Sequence, residues 1–195
     1  SSSQARSATQ SAGAMPPGKA RTAPKPVPAR AQQTKAPAVK TEPYKAFVVM
    51  EAGTGRVLEG ENIHAKRAPA SIVKLMVALI VAEKLAKDEI KLTDQITASR
   101  EAAAIGGSQV YLEEGEAFTL EEMMKAILVA SANDAAYAVA EHIAGTRDEF
   151  VRLMNEKAKA LKLNDTEFSS VHGLPPSKDQ QPDLSSAIDL AVLGR

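Results

Sequence analysis

Ser71 and Lys74 stand three residues apart, a spacing that puts a hydroxyl and an amine on one face of a helix. A serine hydroxyl is a poor nucleophile until a base removes its proton. A lysine can be that base only if its pKa falls toward neutrality, and burial lowers it by disfavouring the charged form. The residues around the pair suit such burial. Ile72, Val73, Leu75, Met76, Val77, Leu79, Ile80, Val81 and Leu85 leave almost no polar face, so a helix here belongs in the middle of a core. Ser71 lies at its start, where free backbone N–H groups and the helix dipole favour developing negative charge. Ser71-Ile72-Val73-Lys74 is the sole Ser-x-x-Lys of the chain. Fourteen serines and fifteen lysines in 195 residues still produce about one such spacing by chance, so the pair alone identifies nothing. The plain alternative is a surface lysine whose stem lies along apolar neighbours.

A second polar cluster, Ser131-Ala132-Asn133, follows sixty residues after Ser71. It falls between two helical patterns, and an interrupted helix exposes both side chains and backbone. The plain alternative makes Asn133 a cap that starts the next helix, and one residue can do both jobs. Other chemistries find less support. His64, His142 and His172 have no Gly-x-Ser-x-Gly partner, and His172 before Gly173 reads as a structural loop residue. There is no cysteine and no His-Glu-x-x-His, so neither a disulfide nor a zinc site is indicated.

The elements that must position these residues follow from pattern and punctuation. Ala46–Met50 and Arg56–Leu58, joined across Gly53-Thr54-Gly55, read as a β-hairpin. The apolar helix comes next, and residues 86–118 read as loop-rich. Thr119-Leu120-Glu121-Glu122 is a capping box opening a helix through Leu128, a further helix runs from about Asn133 to Ile143, and Gly145 stops it. Thr146-Arg147-Asp148-Glu149 reads as a second capping box, followed by Phe150, Leu153, Met154, Ala158 and Leu161 at helical spacing. Thr166–Phe168 suggests a short strand, Val171–Pro176 a loop, and a last helix starts near Ser186. Residues 1–43 differ from all this. They hold seven of the eleven prolines, seven Lys/Arg against the single acid Glu42, and few bulky apolar residues. Such a segment cannot bury enough surface to offset its ordering entropy, so it reads as a disordered basic linker before an acidic domain at 44–195. No apolar run is long enough to span a bilayer.

Pro69-Ala70-Ser71-Ile72-Val73-Lys74-Leu75-Met76 resembles the Pro-Ala-Ser-x-x-Lys-Leu-Met signature of the penicillin-binding D-alanyl-D-alanine carboxypeptidases. Ser131-Ala132-Asn133-Asp134-Ala135 is similar to their Ser-Gly-Asn-Asp-Ala segment. Thr54-Gly55-x-Val57-Leu58, Gly107-Ser108, Leu112-x-x-Gly115-Glu116, Met154-Asn155, His172-Gly173-Leu174 and Ser186-Ala187-x-Asp189 match in the same order. The resemblance covers residues 44–195 and implies an α/β (α+β) fold of the β-lactamase/transpeptidase type. A helical subdomain packs there on an antiparallel sheet, with Ser71 at their junction. It implies that Ser71 attacks the carbonyl between the two terminal D-alanines of a peptidoglycan stem peptide and that Lys74 takes its proton. Ser131 then relays a proton to the leaving nitrogen, and Asn133 orients Lys74 and binds substrate. β-Lactams are the expected inhibitors, no metal, cofactor or nucleic acid is implied, and the substrate places the protein outside the cytoplasmic membrane.

No Lys-Thr-Gly or Lys-Ser-Gly occurs in these residues. In the family that third motif lies on a later strand, which also supplies part of the oxyanion hole. The expectation is therefore an N-terminal part of the domain, inactive by itself, with the motif and any membrane anchor beyond Arg195. Three alternatives stay open: a D,D-endopeptidase of the same family, a class A β-lactamase, and a non-catalytic penicillin-sensing module. The β-lactamase needs a Glu followed four residues later by Asn; Glu167 is followed by Val171.

Overall fold

The computed structural model describes residues 44–178 and 180–195. The expected linker at 1–43 lies outside them. Strand β1 (Phe47–Met50) pairs antiparallel with β2 (Val57–Glu61), Phe47 opposite Glu61, with a bulge at Val49/Met50. The turn is the expected one: Gly55 has φ +75°, and its N–H donates to Glu51 O at 2.8 Å. A 3-10 turn at Ala70–Val73 then leads into helix α1 (Lys74–Ala86).

The stretch expected to be loop-rich contains a second small sheet. Strand β3 (Gln95–Thr97) pairs antiparallel with β4 (Ala117–Thr119), Ile96 opposite Phe118. Ile96 alone of β3 is buried, and three-residue strands leave no alternating pattern to read. Between them lies the short helix α2 (Arg100–Ala103), capped by Ser99.

Helices α3 (Leu120–Val129), α4 (Asn133–Ala144) and α5 (Arg147–Ala160) surround α1. The core joins Met76, Val77, Ile80 and Val81 of α1 to Leu120, Met123 and Ile127 of α3 and to Phe150 and Met154 of α5. In α4, Ala135, Ala136, Ala138 and Ala140 are fully buried, and their small side chains let the neighbouring helices come close. The capping box at Thr119 forms in full. The one at Thr146 forms by half: Thr146 accepts from the Glu149 N–H, but the Glu149 carboxylate pairs with Arg152 instead. Gly145, at φ +82°, ends α4 as expected.

Helix α6 (Ala187–Gly194) starts on Ser186, whose Oγ accepts from the Asp189 N–H, and it packs on β1 and α1. The strand expected at Thr166–Phe168 is a single bridge, Glu167 to Leu184, beside a second bridge from Arg67 to Ser185. Helix α1 and the turn before it are not buried all round. Ile72 and Leu75 are 45% and 40% exposed, because nothing among the described residues covers that face. No helix of the described residues is long and apolar enough to cross a membrane.

Candidate active site

Lys74 opens α1 with its side chain turned into the protein, only 3% exposed. The surface-lysine alternative is thereby excluded. Its Nζ lies 3.2 Å from Ser71 Oγ, 3.3 Å from Ser131 Oγ, 2.7 Å from Asn133 Oδ1 and 3.1 Å from the His172 carbonyl oxygen. The four residues singled out in the sequence thus meet around one nitrogen. No acidic side chain among the described residues bonds that amine, and desolvation lowers its pKa from 10.5 to about 8.

The neutral amine has two N–H donors and one lone pair. Asn133 Oδ1 and His172 O are acceptors only, so they fix the two donors. The lone pair is left to receive a hydroxyl proton from Ser71 or Ser131. Left-handed backbone lies at or next to both serines: Ala70, just before Ser71, has φ +50°, and Ser131 itself has φ +57°. Non-glycine residues seldom adopt such angles, and they cluster where surrounding structure imposes a geometry.

Two loops hold this arrangement. Asn133 is the first residue of α4 and does not cap it; its Nδ2 donates to Gly106 O at 2.8 Å and its N–H to Ser108 O at 2.7 Å. The plain cap reading of Asn133 is therefore corrected. Asp134 is no cap either: its buried carboxylate accepts from the Val110, Leu112 and Ala135 N–H groups. Gly107, at φ +81°, lies so near that a Cβ would sit 2.7 Å from Asn133 Nδ2. On the other side, a Cβ on Gly173, at φ +77°, would sit 2.0 Å from Ala70 O. The part of His172 in the site, its carbonyl, is invisible to sequence reasoning because a backbone oxygen has no signature of its own. Gly173, the neighbour that must lack a side chain, is the available signal.

A cleft of about 310 Å³ opens at Ser71, lined by Ile72, Lys74, Leu75, Leu128 and Ser131. It is apolar apart from the hydroxyls and the amine. Glu167 is exposed and the residue four later, Val171, is apolar and fully buried, so Glu167 has no Asn partner at that spacing with which to hold a water as a class A β-lactamase does. Among the described residues no group of His, Asp and Glu gathers to hold a metal ion.

Residues 30–195 match the D-alanyl-D-alanine carboxypeptidase family, and the chain belongs to it. It is 44% identical over 151 residues to D-alanyl-D-alanine carboxypeptidase DacF of Bacillus subtilis, covering 77% of this chain and 38% of that one. DacC of Escherichia coli is 37% identical over 170 residues, covering 84% and 41%. The chain thus spans about two fifths of the length of these relatives. Among solved structures, DacD of Francisella tularensis superposes with a TM-score of 0.73 at 36% identity, covering 76% of this chain and 35% of that one. Penicillin binding protein 6B of Escherichia coli gives 0.71 at 36%, covering 81% and 51%. The β-lactamase/transpeptidase-like fold, part of the domain and with helices on small antiparallel sheets, is therefore the fold of this chain.

Proposed function

We propose that this chain carries the nucleophile and base of a serine-type D-alanyl-D-alanine carboxypeptidase. The observation that carries the reading is the buried Lys74 amine, within hydrogen-bonding distance of both Ser71 Oγ and Ser131 Oγ. Ser71 Oγ attacks the carbonyl carbon of the bond joining two terminal D-alanines in a stem peptide. Its proton passes to Lys74 Nζ, whose lone pair faces it. The tetrahedral intermediate collapses by breaking the C–N bond. Ser131 hands its proton to the departing amine and regains one from Lys74, so free D-alanine leaves and Ser71 holds the remaining peptide as an ester. Water, deprotonated by the same amine, then cleaves the ester and restores Ser71.

Asn133 serves twice in this scheme. Its Oδ1 holds Lys74, and its Nδ2, now on Gly106 O, is the group that binds the substrate amide. A β-lactam is an acyl donor for the same serine, and penicillin-binding protein D2 of Listeria monocytogenes, 26% identical, has a structure in the ampicillin-bound form. The substrate is cell-wall peptide, which places the protein's work outside the cytoplasmic membrane.

The test is direct. The full-length gene product should release D-alanine from a stem-peptide analogue with EDTA present and take up one fluorescent penicillin, located on Ser71 by mass spectrometry. Ser71→Ala should do neither. Undiminished covalent labelling of Ser71→Ala would end the assignment. Penicillin labelling without D-alanine release would instead favour a sensing module.

A further inference from the structure

The segment after Phe168 has no regular structure, yet its backbone is held residue by residue. The Ser169 and Ser170 N–H groups donate to Asp183 Oδ1 at 2.7 and 2.9 Å, and Ser170 Oγ donates to Asp183 Oδ2 at 2.6 Å. The same Oγ accepts from the Gly173 N–H at 2.8 Å and the His172 N–H at 3.3 Å. Its one proton and its two lone pairs are all engaged, so the direction of every bond is determined. Arg147 Nη1 holds the Ser169 carbonyl at 3.0 Å from outside. Asp183 and Ser170 are 5% and 8% exposed. At the far end of this chain of bonds, the His172 carbonyl accepts from Lys74, and Gly173 lies against the Ala70 carbonyl just before Ser71.

We propose that Asp183 and Ser170 are positioning residues, which hold the His172–Gly173 turn so that its carbonyl keeps the Lys74 amine aimed at the two serines. The proposal rests on reading Lys74 as the base. A carbonyl at the tip of a turn is only as fixed as the turn. Remove Ser170 Oγ and the half-buried His172 and Gly173 N–H groups lose their acceptor; the turn must rotate to find water for them. That rotation withdraws one of the two oxygens that orient Lys74 and lets water reach its nitrogen. The burial that lowers the Lys74 pKa is then relieved. The charged and titratable groups around the turn are Lys74 on α1, His172 itself, Arg147 on α5 and Asp183 before α6. Asp134 on α4 is engaged with the 110–112 backbone. Ser170→Ala changes none of these charges, which makes it the cleanest probe.

Two readouts are needed: the titration of the Lys74 amine, followed by NMR of lysine-labelled full-length protein, and the rate of acylation by penicillin. Ser170→Ala should move the Lys74 midpoint up by about one pH unit and slow acylation about tenfold or more. Ser170→Thr, which keeps the hydroxyl, should stay within about threefold of wild type in rate and keep its midpoint. A simple loss of stability moves neither readout, and Thr119→Ala serves as that control. If Ser170→Ala does not fold, Asp183→Asn is judged on the same two readouts. It keeps an acceptor for the two N–H groups but turns a donor toward Ser170. A wild type that titrates near pH 8 but is never acylated sinks the catalytic reading, while the midpoint of the variant still decides the positioning role. A folded Ser170→Ala protein with wild-type midpoint and wild-type acylation overturns the proposal.

Discussion

Helices α3, α5 and α6 start differently from α1 and α4. The first three begin on Thr119, Thr146 and Ser186, each in extended backbone with its hydroxyl accepting a helix N–H. Neither α1 nor α4 has a side-chain cap, and their cap positions are Val73 and Ala132. The polar residues at those two starts, Lys74 and Asn133, bond each other at 2.7 Å instead. A left-handed residue also precedes each, Ala70 before the first and Ser131 before the second, at roughly 1 kcal/mol or more apiece. Ordinary helix chemistry is thus obeyed away from the cleft and suspended at it. Local rules that fail together at one place are the mark of a site rather than of poor folding.

The largest expected effect breaks the uncapped side of that comparison. Lys74→Arg keeps length and charge but cannot lose its proton, so acylation should fall on the order of a thousandfold. Stopped-flow acylation by a chromogenic β-lactam would check it, and near-normal rates would remove Lys74 from the role of base. In the unsubstituted protein only the neutral amine can accept a proton. The rate should therefore rise about tenfold per pH unit below 7 and level off above the midpoint near 8. Stability should follow a related course. A lysine whose folded pKa lies below its unfolded one penalises the fold while protonated in both states, so Lys74 weakens the fold below pH 8. That penalty is relieved as the pH rises from about 8 to 10.5.

Next in size is Gly173→Ala. A Cβ there would meet Ala70 O and C at 2.0 and 2.3 Å, both backbone atoms, and the residue has φ +77°. No side-chain motion relieves such a clash. The turn and the Ala70–Ser71 backbone must separate, at a cost of about 3 kcal/mol or more in stability and with a large loss of acylation. Urea unfolding together with penicillin labelling would measure both. An unchanged midpoint and rate would show that the turn does not press on Ser71.

The same contrast explains which features are legible in the sequence and which are not. Capped helices announce themselves: Thr119 with Glu122, Thr146 and the Gly145 stop can be read because cap and turn residues act over three or four positions. Ser71, Lys74, Ser131 and Asn133 are legible by type and order. Their convergence on one nitrogen is not, since it depends on how α1 and α4 pack. The residue type of Asn133 favours a cap, and tertiary bonding overrides that preference. Ala70 and Ser131 give no warning of their left-handed backbone, for neither is glycine or asparagine. The β3–β4 sheet stays hidden because three residues are too few for alternation to show. The box at Thr146 is only half formed through competition, Arg152 drawing the Glu149 carboxylate away.

The smallest expected effect sharpens the capped side. At Thr119 both halves of the box are in place: its Oγ accepts from the Glu122 N–H, and the Glu122 carboxylate accepts from the Thr119 N–H and hydroxyl. Those bonds hold the Glu122 carboxyl below its ordinary pKa. At Thr146 only the bond from the Glu149 N–H exists. Thr119→Ala should therefore cost about 1–2 kcal/mol and Thr146→Ala about 0.5–1 kcal/mol, read as shifts of the urea midpoint at constant slope. Acylation by penicillin should stay within about twofold of wild type in both, because neither threonine bonds to any residue at Lys74. Two results would undo the contrast between the helix starts. Equal losses at the two sites would mean that the reciprocal half of the box adds nothing. A slowed acylation with an unmoved urea midpoint would mean that a capped start communicates with the cleft, and the division between structural and functional helix ends would have to be redrawn.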